Sequence, residues 1–457
     1  MFSIFASSSL RPAPAVNLLS TSKEQVRNAV KKAGGNKQAL ASKTKLQQKG
    51  FRMKKTYEEK GKEKHDGVFY MQPMPSGRFK DPIFDKQRTV QEFPSIRPEE
   101  LTENLALGTT RSFGPTATTA LKAYGVPRNV LVDFRVLSAP GAVVRDATLR
   151  LADRLDKAAS SSSQSTRLVL TGSGGTGKSY LLLQSLAYAQ STGYIVLYVP
   201  RASKLVDSST PYSYDPRTWT YAQPKYSHQL LHRLLTVNET SLRKLQLSQD
   251  LLADDGSVRL AKGSPLTDLI DFGVRDPAMA PSILARVFQE LAEQTQFPVM
   301  LAIDDFQSLF CHSTLYRNPK YESIKPYHLS LPRLLLDYAS KDKSFKRGAV
   351  IAAVSGSNTN WPVTLELQEA LGLSTPRPVN EYVKRSTDLA HFAEGLENFA
   401  VPEQLTVDEA AAMYELWSKD DALHTGSNDE LFLSKLAEAS GNARKFVWEG
   451  LLQTLAT

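Results

Sequence analysis

The sequence predicts an α/β protein in which helices cover both faces of a parallel sheet, and two observations support this prediction. Between residues 143 and 354, apolar segments of strand length alternate with segments of helical periodicity, as is typical of a parallel sheet with helical crossovers. A glycine-rich turn, Gly172–Ser179, also falls between a predicted strand and a predicted helix. A mainly helical C-terminal domain and a disordered basic N-terminal extension complete the predicted architecture.

Composition restricts the class of protein. Of the 457 residues, 41% are hydrophobic, which is enough for one large or two medium domains. The chain contains no apolar run of about 18 residues, so no membrane-spanning helix is expected. The single cysteine, Cys311, excludes an internal disulfide framework and fits a reducing compartment.

Positive charge is concentrated near the N-terminus. The whole chain has a formal net charge of +9, yet residues 1–80 hold 17 Lys and Arg against 5 Asp and Glu, so the rest is close to neutral. Residues 1–22 contain no acidic residue and are rich in Ser, Ala and Leu, which is typical of a mitochondrial presequence. In the basic extension, residues 23–106, aromatic rings among the bases predict contacts with RNA phosphates and nucleobases. A solvated charged tail is the alternative interpretation.

The sheet is predicted to lie in residues 107–376 and the helical domain in residues 377–457. The predicted strands are 167–171, 194–199, 299–303 and 349–354. The predicted helices are 143–157, 178–190, 229–247 within a long insertion, 283–294, 409–417, 430–439 and 441–455.

The glycine-rich turn matches G-x-x-x-x-G-K-[ST], the phosphate-binding loop, or P-loop. Its residues are Gly172, Ser173, Gly174, Gly175, Thr176, Gly177, Lys178 and Ser179, and Tyr180 follows as a further candidate for cofactor binding. Backbone N–H groups of such a loop wrap phosphates at the positive end of a helix. Lys178 is expected to neutralise the β and γ phosphates, and the Ser179 hydroxyl to bind Mg²⁺. The sequence therefore predicts a P-loop NTPase domain.

The predicted strand 299–303 ends in two carboxylates. Asp304 is expected to bind Mg²⁺ through water, because hard cations take oxygen ligands. Asp305 would lie nearer the γ-phosphate and is the candidate catalytic residue. P-loop proteins of the AAA+ type usually have Asp-Glu here, so the shorter Asp305 predicts slow hydrolysis or none.

Two further positions resemble the nucleotide-sensing residues of AAA+ proteins. Ser355 and Asn358 follow the strand 349–354, with ordinary turn formation as the alternative. Arg444 lies in Gly441–Arg444, at the start of a late helix. The Asn-Lys-x-Asp motif that marks guanine in small GTPases is absent, so the residues alone leave ATP and GTP both open.

From about Leu107 to its C-terminus the chain resembles a known family, the mitochondrial small-subunit ribosomal protein called death-associated protein three in animals. The matching segments are Gly172–Ser179, Ala302–Phe306, Tyr221 with Pro224, Tyr316–Tyr321 and Gly348–Ser357. The last three are the more specific, because P-loop proteins at large do not share them.

The resemblance implies a place in the head of the small subunit of the mitochondrial ribosome, in the matrix, with a bound guanine nucleotide, GTP or GDP. Ribosomal RNA and neighbouring ribosomal proteins would be its partners. An active ATPase of the AAA+ or STAND type, acting as a switch or remodelling motor, is the alternative. An RNA-binding protein with an empty P-loop is disfavoured because every position of the motif is intact.

Overall fold

The computed structural model describes residues 93–101, 106–137, 140–252, 258–374, 380, 382–420, 422–423 and 426–455. The predicted presequence and most of the predicted basic extension lie outside these residues. Within the described part, no helix is long and apolar enough to cross a membrane.

Five strands form one parallel sheet. In chain order the strands are β1 (Thr110–Ser112), β2 (Gly141–Val143), β3 (Arg167–Thr171), β4 (Ile195–Val199), β5 (Ser213–Asp215), β6 (Thr220–Ala222), β7 (Leu251–Leu252), β8 (Val258–Leu260), β9 (Val299–Asp304), β10 (Gly348–Ala353) and β11 (Glu397–Ala400). The parallel sheet has the order β11-β3-β10-β9-β4. Every residue of β3, β4, β9 and β10 is buried. The predicted parallel sheet is confirmed.

Helices surround this sheet. They are α1 (Pro98–Leu101), α2 (Pro115–Tyr124), α3 (Arg128–Val136), α4 (Asp146–Ala158), α5 (Lys178–Ser191), α6 (Pro224–Leu242), α7 (Leu266–Arg275), α8 (Ala280–Glu293), α9 (Ser330–Ala339), α10 (Leu365–Ala370), α11 (Thr387–Ala393), α12 (Val407–Lys419), α13 (Asp429–Glu438) and α14 (Ala443–Lys445). The chain passes from β3 to β4, three positions along the sheet. It then returns in the opposite direction, from β4 to β9, from β9 to β10 and from β10 to β11. Because such crossovers are right-handed, α5 lies on one face and α8, α9 and α11 on the other.

Short helical turns fill several connections. They are the 3₁₀ turns Ser163–Ser165, Ala202–Leu205, Phe306–Phe310, Pro326–His328 and Leu452–Leu455, and the π-helical turn Phe446–Leu451. Three two-stranded antiparallel pairs, β1-β2, β5-β6 and β7-β8, also lie outside the main sheet.

The boundary of the helical C-terminal part differs from the prediction. β11 lies within the residues predicted as mainly helical, yet it pairs in parallel with β3 as the edge strand of the main sheet. Three of its four residues are exposed, so it lacks the apolar run that marked the other strands. After β11 the chain is helical, and α12 and α13 share a separate hydrophobic cluster with the π-helical turn that follows α14.

The predicted basic extension also ends earlier than expected. Ser95 forms a parallel bridge with Ser112 of β1, and the N–H of Ile96 donates to the Ser112 carbonyl at 3.0 Å. Ile96 and Leu101 are buried in the main core. Residues 93–101 therefore pack on the globular part.

Candidate nucleotide-binding site

The P-loop leaves β3 and leads directly into α5, which begins at Lys178. Gly175 and Gly177 have φ angles of 88° and 94°, in the left-handed region that glycine enters without steric cost. The N–H groups of Gly174, Gly175 and Gly177 donate no hydrogen bond to any other group in the described part of the chain. Unpaired N–H groups at the start of a helix are the donors that an anion would use.

Lys178 spans the loop from inside. Its Nζ donates to the carbonyl oxygens of Gly172 at 2.9 Å and Ser173 at 2.6 Å, and its side chain is buried. Burial lowers the pKa of Lys178 to about 8, against the opposing charges of Asp304 and Glu403. An ammonium group with carbonyl partners on one side retains a charge that phosphate oxygens could neutralise.

The two predicted metal-binding residues lie together. Asp304 ends β9, two strands from β3, and is buried. Burial and the charge of Asp305 raise the pKa of Asp304 to about 7, whereas a hydrogen bond from Ser179 and the charge of Lys178 act in the opposite direction. Within the described residues, no group of three His, Cys, Asp or Glu could hold a metal ion. The Ser179 hydroxyl and the Asp304 carboxylate offer oxygen ligands of the kind that Mg²⁺ takes.

Asp305 is held in an unusual backbone conformation. Its φ of 58° lies in the left-handed region, which costs a residue with a Cβ about 1 to 3 kcal/mol. Its Oδ2 accepts a hydrogen bond from the Ser203 hydroxyl at 2.8 Å, and its carbonyl accepts one from the Ser308 N–H at 3.0 Å. These contacts fix the carboxylate next to the 3₁₀ turn Ala202–Leu205. The catalytic role of Asp305 stays a prediction.

Gln307 joins the end of β10 to the segment after β9. It is fully buried, accepts from the N–H of Ser355 at 3.0 Å and donates to the Ser355 carbonyl at 3.2 Å. A Cβ on the next residue, Gly356, would lie only 3.0 Å from the N of Gly174, so this close approach to the P-loop favours glycine. Ser355 lines the cavity beside the P-loop, whereas Asn358 is not among its lining residues.

The turn before α14 packs on the other side of the P-loop. Asn442 Nδ2 donates to the Gly174 carbonyl at 3.0 Å, and the N–H of Arg444 donates to the Gly175 carbonyl at 3.0 Å. A Cβ at Gly175 would clash with Asn442 and Arg444. The Arg444 guanidinium lies over the Trp448 ring, 5.3 Å from its centroid. Arg444 thus contacts the P-loop through its backbone and the cavity wall through its side chain.

Arg145 makes a second link between the P-loop and the C-terminal helices. Its Nε lies 3.1 Å from Oε2 of Glu409 on α12, and both side chains are nearly buried. Its Nη1 donates to the Thr176 carbonyl at 2.7 Å. The Arg145 side chain therefore connects the P-loop to α12.

A cavity opens beside the P-loop and encloses about 1250 Å³ when its mouth is included. Its polar end consists of residues 175–179 and 355–357. Its apolar end is lined by Val130, Leu137, Ala142, Met413, Leu416, Trp417 and Val447. A cavity with an apolar wall and a few convergent polar groups is the usual form of a small-molecule site.

Tyr180 connects α5 to α3. Its hydroxyl donates to Oδ2 of Asp133 on α3 at 3.0 Å, and its ring meets Phe134 edge to face. Both Tyr180 and Asp133 line the cavity.

The structure brings together most residues predicted for the site and adds others that the sequence did not indicate. The added residues are Asp133, Arg145, Gln307, Glu409 and Asn442. Only Asn442 carried a local signal, because it belongs to the segment Gly441–Arg444 that the sequence had singled out.

A sequence model of the family described as mitochondrial ribosomal death-associated protein 3 matches residues 142–448, more than half of the chain. The chain belongs to this family. The matched residues run from β2 to Trp448 and include the P-loop, both carboxylates and the turn that packs on Gly174. The predicted family is therefore confirmed, and with it the predicted location in the mitochondrial matrix.

Three relatives carry the name small ribosomal subunit protein mS29. The protein of Neurospora crassa is 25% identical over 358 residues, which cover 76% of this chain and 75% of the relative. The Schizosaccharomyces pombe protein is 27% identical over 339 residues, which cover 71% of this chain and 67% of the relative. The Bos taurus protein is 25% identical over 240 residues, which cover 51% of this chain and 58% of the relative. The chain is thus similar to fungal and mammalian proteins of this name.

Proposed function

We propose that this chain is a structural component of the small subunit of the mitochondrial ribosome and that it holds a purine nucleotide, GTP or GDP, with Mg²⁺. Family membership and the names of the three relatives support the ribosomal part. Supporting mitochondrial translation is the role that follows, with ribosomal RNA and neighbouring ribosomal proteins as partners.

One observation carries the nucleotide part of the proposal. An intact P-loop with unpaired N–H groups, the buried Lys178 and the Ser179–Asp304 pair lies at the polar end of a cavity whose other end is apolar. A nucleotide has the same two-part character, with charged phosphates at one end and a flat base at the other. In such a site, phosphates would replace the carbonyl partners of Lys178 and complete the coordination of Mg²⁺.

The proposed nucleotide is a structural ligand or a slow switch. Asp305 is one methylene shorter than the glutamate that usually serves as base, and its Oδ2 already accepts a hydrogen bond from Ser203. A base set back from the attacking water transfers protons inefficiently, because geometry dominates such steps.

The nucleotide proposal is tested by denaturing the protein isolated from mitochondrial small subunits and identifying the released nucleotide by ion-exchange chromatography. We expect close to one guanine nucleotide per chain, and a large loss of it in Lys178→Ala. Lys157→Ala is the control, because Lys157 is exposed on α4 and forms a surface ion pair with Asp153. Recovery of no nucleotide from the wild type would support the empty P-loop instead. Turnover of about one per second or faster would support the ATPase.

The partner proposal depends on the basic extension, which lies mostly outside the described residues. Its bases would neutralise phosphates of ribosomal RNA, so its contacts should weaken steeply with salt. Deleting residues 23–80 should reduce incorporation into small subunits, measured by sedimentation at low and high salt. Unchanged incorporation at both salt concentrations would exclude an RNA-binding role for this segment.

A further inference from the structure

Asp133 has a buried carboxylate oxygen without a partner. The residue lies on α3 and lines the cavity, and 7% of its surface is exposed. Oδ2 accepts the hydrogen bond from Tyr180, but Oδ1 is buried and has no hydrogen-bond partner. Tyr180 lies in the first turn of α5, the helix that follows the P-loop. Its hydrogen bond therefore links the Asp133 carboxylate to that helix.

The unpaired Oδ1 of Asp133 destabilises the folded protein when no ligand is bound. A buried carboxylate oxygen that has given up water without gaining a donor raises the free energy of the folded state. Burial accordingly raises the pKa of Asp133 to about 6, although Tyr180, Trp448 and the charge of Arg444 act in the opposite direction. Oδ2 is bonded to Tyr180, whereas Oδ1 is buried without a hydrogen bond. A ligand that offers N–H groups would remove this cost.

The position of Asp133 restricts which part of a ligand could supply those groups. The P-loop lines the polar end of the same cavity, so phosphates held there would leave the base to extend toward the apolar residues. Asp133 is an acidic residue of that wall. Its carboxylate would therefore face a nucleobase rather than a phosphate, which it would repel.

We infer that Asp133 selects guanine by accepting hydrogen bonds from the N1–H and the 2-amino group of the base. Guanine presents these two donors side by side, and a carboxylate accepts both. Adenine presents the lone pair of N1 at the corresponding edge, which a carboxylate repels. The inference rests on the proposed nucleotide binding, but it uses a residue that belongs to no known guanine motif in this chain.

The first test needs no mutation. Full-length protein freed of nucleotide by EDTA and dialysis is titrated with GDP, IDP and ADP. IDP lacks only the 2-amino group, so we expect it to bind about 10-fold more weakly than GDP, and ADP about 100-fold or more. If all three bind equally, the inference is wrong and nucleotide binding stands. If none binds, the proposed function itself fails.

The second test exchanges the donor and acceptor pattern. Asp133→Asn should weaken GDP binding about 100-fold and strengthen binding of XDP, because xanthine has a carbonyl where guanine has its 2-amino group. Asp153→Asn, at an exposed position of α4, should leave every affinity unchanged. A structural role would weaken all nucleotides alike, so equal losses for GDP and XDP would overturn the inference.

Discussion

The two ends of the cavity are built in different ways. The polar end consists mainly of P-loop residues 175–179, with residues 355–357 beside them. The apolar end is assembled from α3, β2, α12 and the turn after α14. Because phosphates are alike in every nucleotide, one local turn can bind them. The base differs between nucleotides, and the apolar wall proposed to face it comes from distant parts of the chain that only the folded protein brings together.

The largest effect is expected where the two ends are joined. Glu409→Ala leaves Arg145 buried without its counter-charge, and breaking a buried pair in this way costs about 3 to 5 kcal/mol. Glu415→Ala on the same helix removes an exposed pair with Lys419 and should cost less than about 1 kcal/mol. Urea unfolding measures both variants. Equal costs would mean that Arg145 does not join the polar end to α12.

Lys178→Ala tests the polar end alone. Nucleotide that binds only the folded protein adds about 4 kcal/mol of stability at 1,000 times its dissociation constant. The variant should lose that increment, so GDP with Mg²⁺ should raise the melting temperature of the wild type but not of Lys178→Ala. A variant that GDP still stabilises fully would show that Lys178 does not hold the phosphates.

Asp133→Asn tests the apolar end through pH. The folded-state pKa of Asp133 is raised from 3.8 to about 6, so the folded protein binds more protons than the unfolded chain between these values. The contribution of Asp133 to the stability of nucleotide-free wild type should therefore fall by up to roughly 3 kcal/mol as pH rises from 4 to 7. Asp133→Asn should lack this part of the decrease, keep the part that comes from Asp304, whose pKa is also raised, and be the more stable protein at pH 7. Parallel pH profiles of the two proteins in urea unfolding would contradict this.

Gly175→Ala gives the smallest effect. The substitution combines a left-handed backbone with a clash against Asn442 and Arg444, and we expect a loss of about 2 kcal/mol or more. Gly193→Ala has a similar φ, 80°, and nothing within 4 Å of the added Cβ, so it isolates the backbone cost of about 1 kcal/mol. Thermal unfolding compares them. Equal losses of stability would mean that Asn442 and Arg444 move away from the added Cβ at little energetic cost.

The elements that the sequence predicted well were those with strong local signals. The strand predicted at 167–171 matches β3, because every residue of it is buried on both faces of the sheet. The mostly exposed edge strand β11 was missed, and so was α7 inside the insertion. The predicted helix 229–247 begins instead at Pro224, a residue that suits the first turn of a helix.

The same distinction applies to the site. Lys178 and Ser179 were predicted from the spacing of one motif, and Asp304 from its position at the end of an apolar strand; the structure brings Ser179 and Asp304 together. Asp133 and Arg145 could not, since their roles depend on burial and on partners far away in the sequence, such as Glu409, 264 residues from Arg145.

The contact between Asn442 and Gly174 spans 268 residues and has a consequence for how the chain is made. A ribosome synthesises the P-loop long before the turn that packs on it, so the proposed nucleotide site is completed only when almost the whole polypeptide exists. A product truncated before residue 442 would keep its P-loop but lose the far wall, with Arg444 and Trp448. Retention of the proposed nucleotide would then distinguish full-length chains from incomplete ones before they reach the assembling subunit.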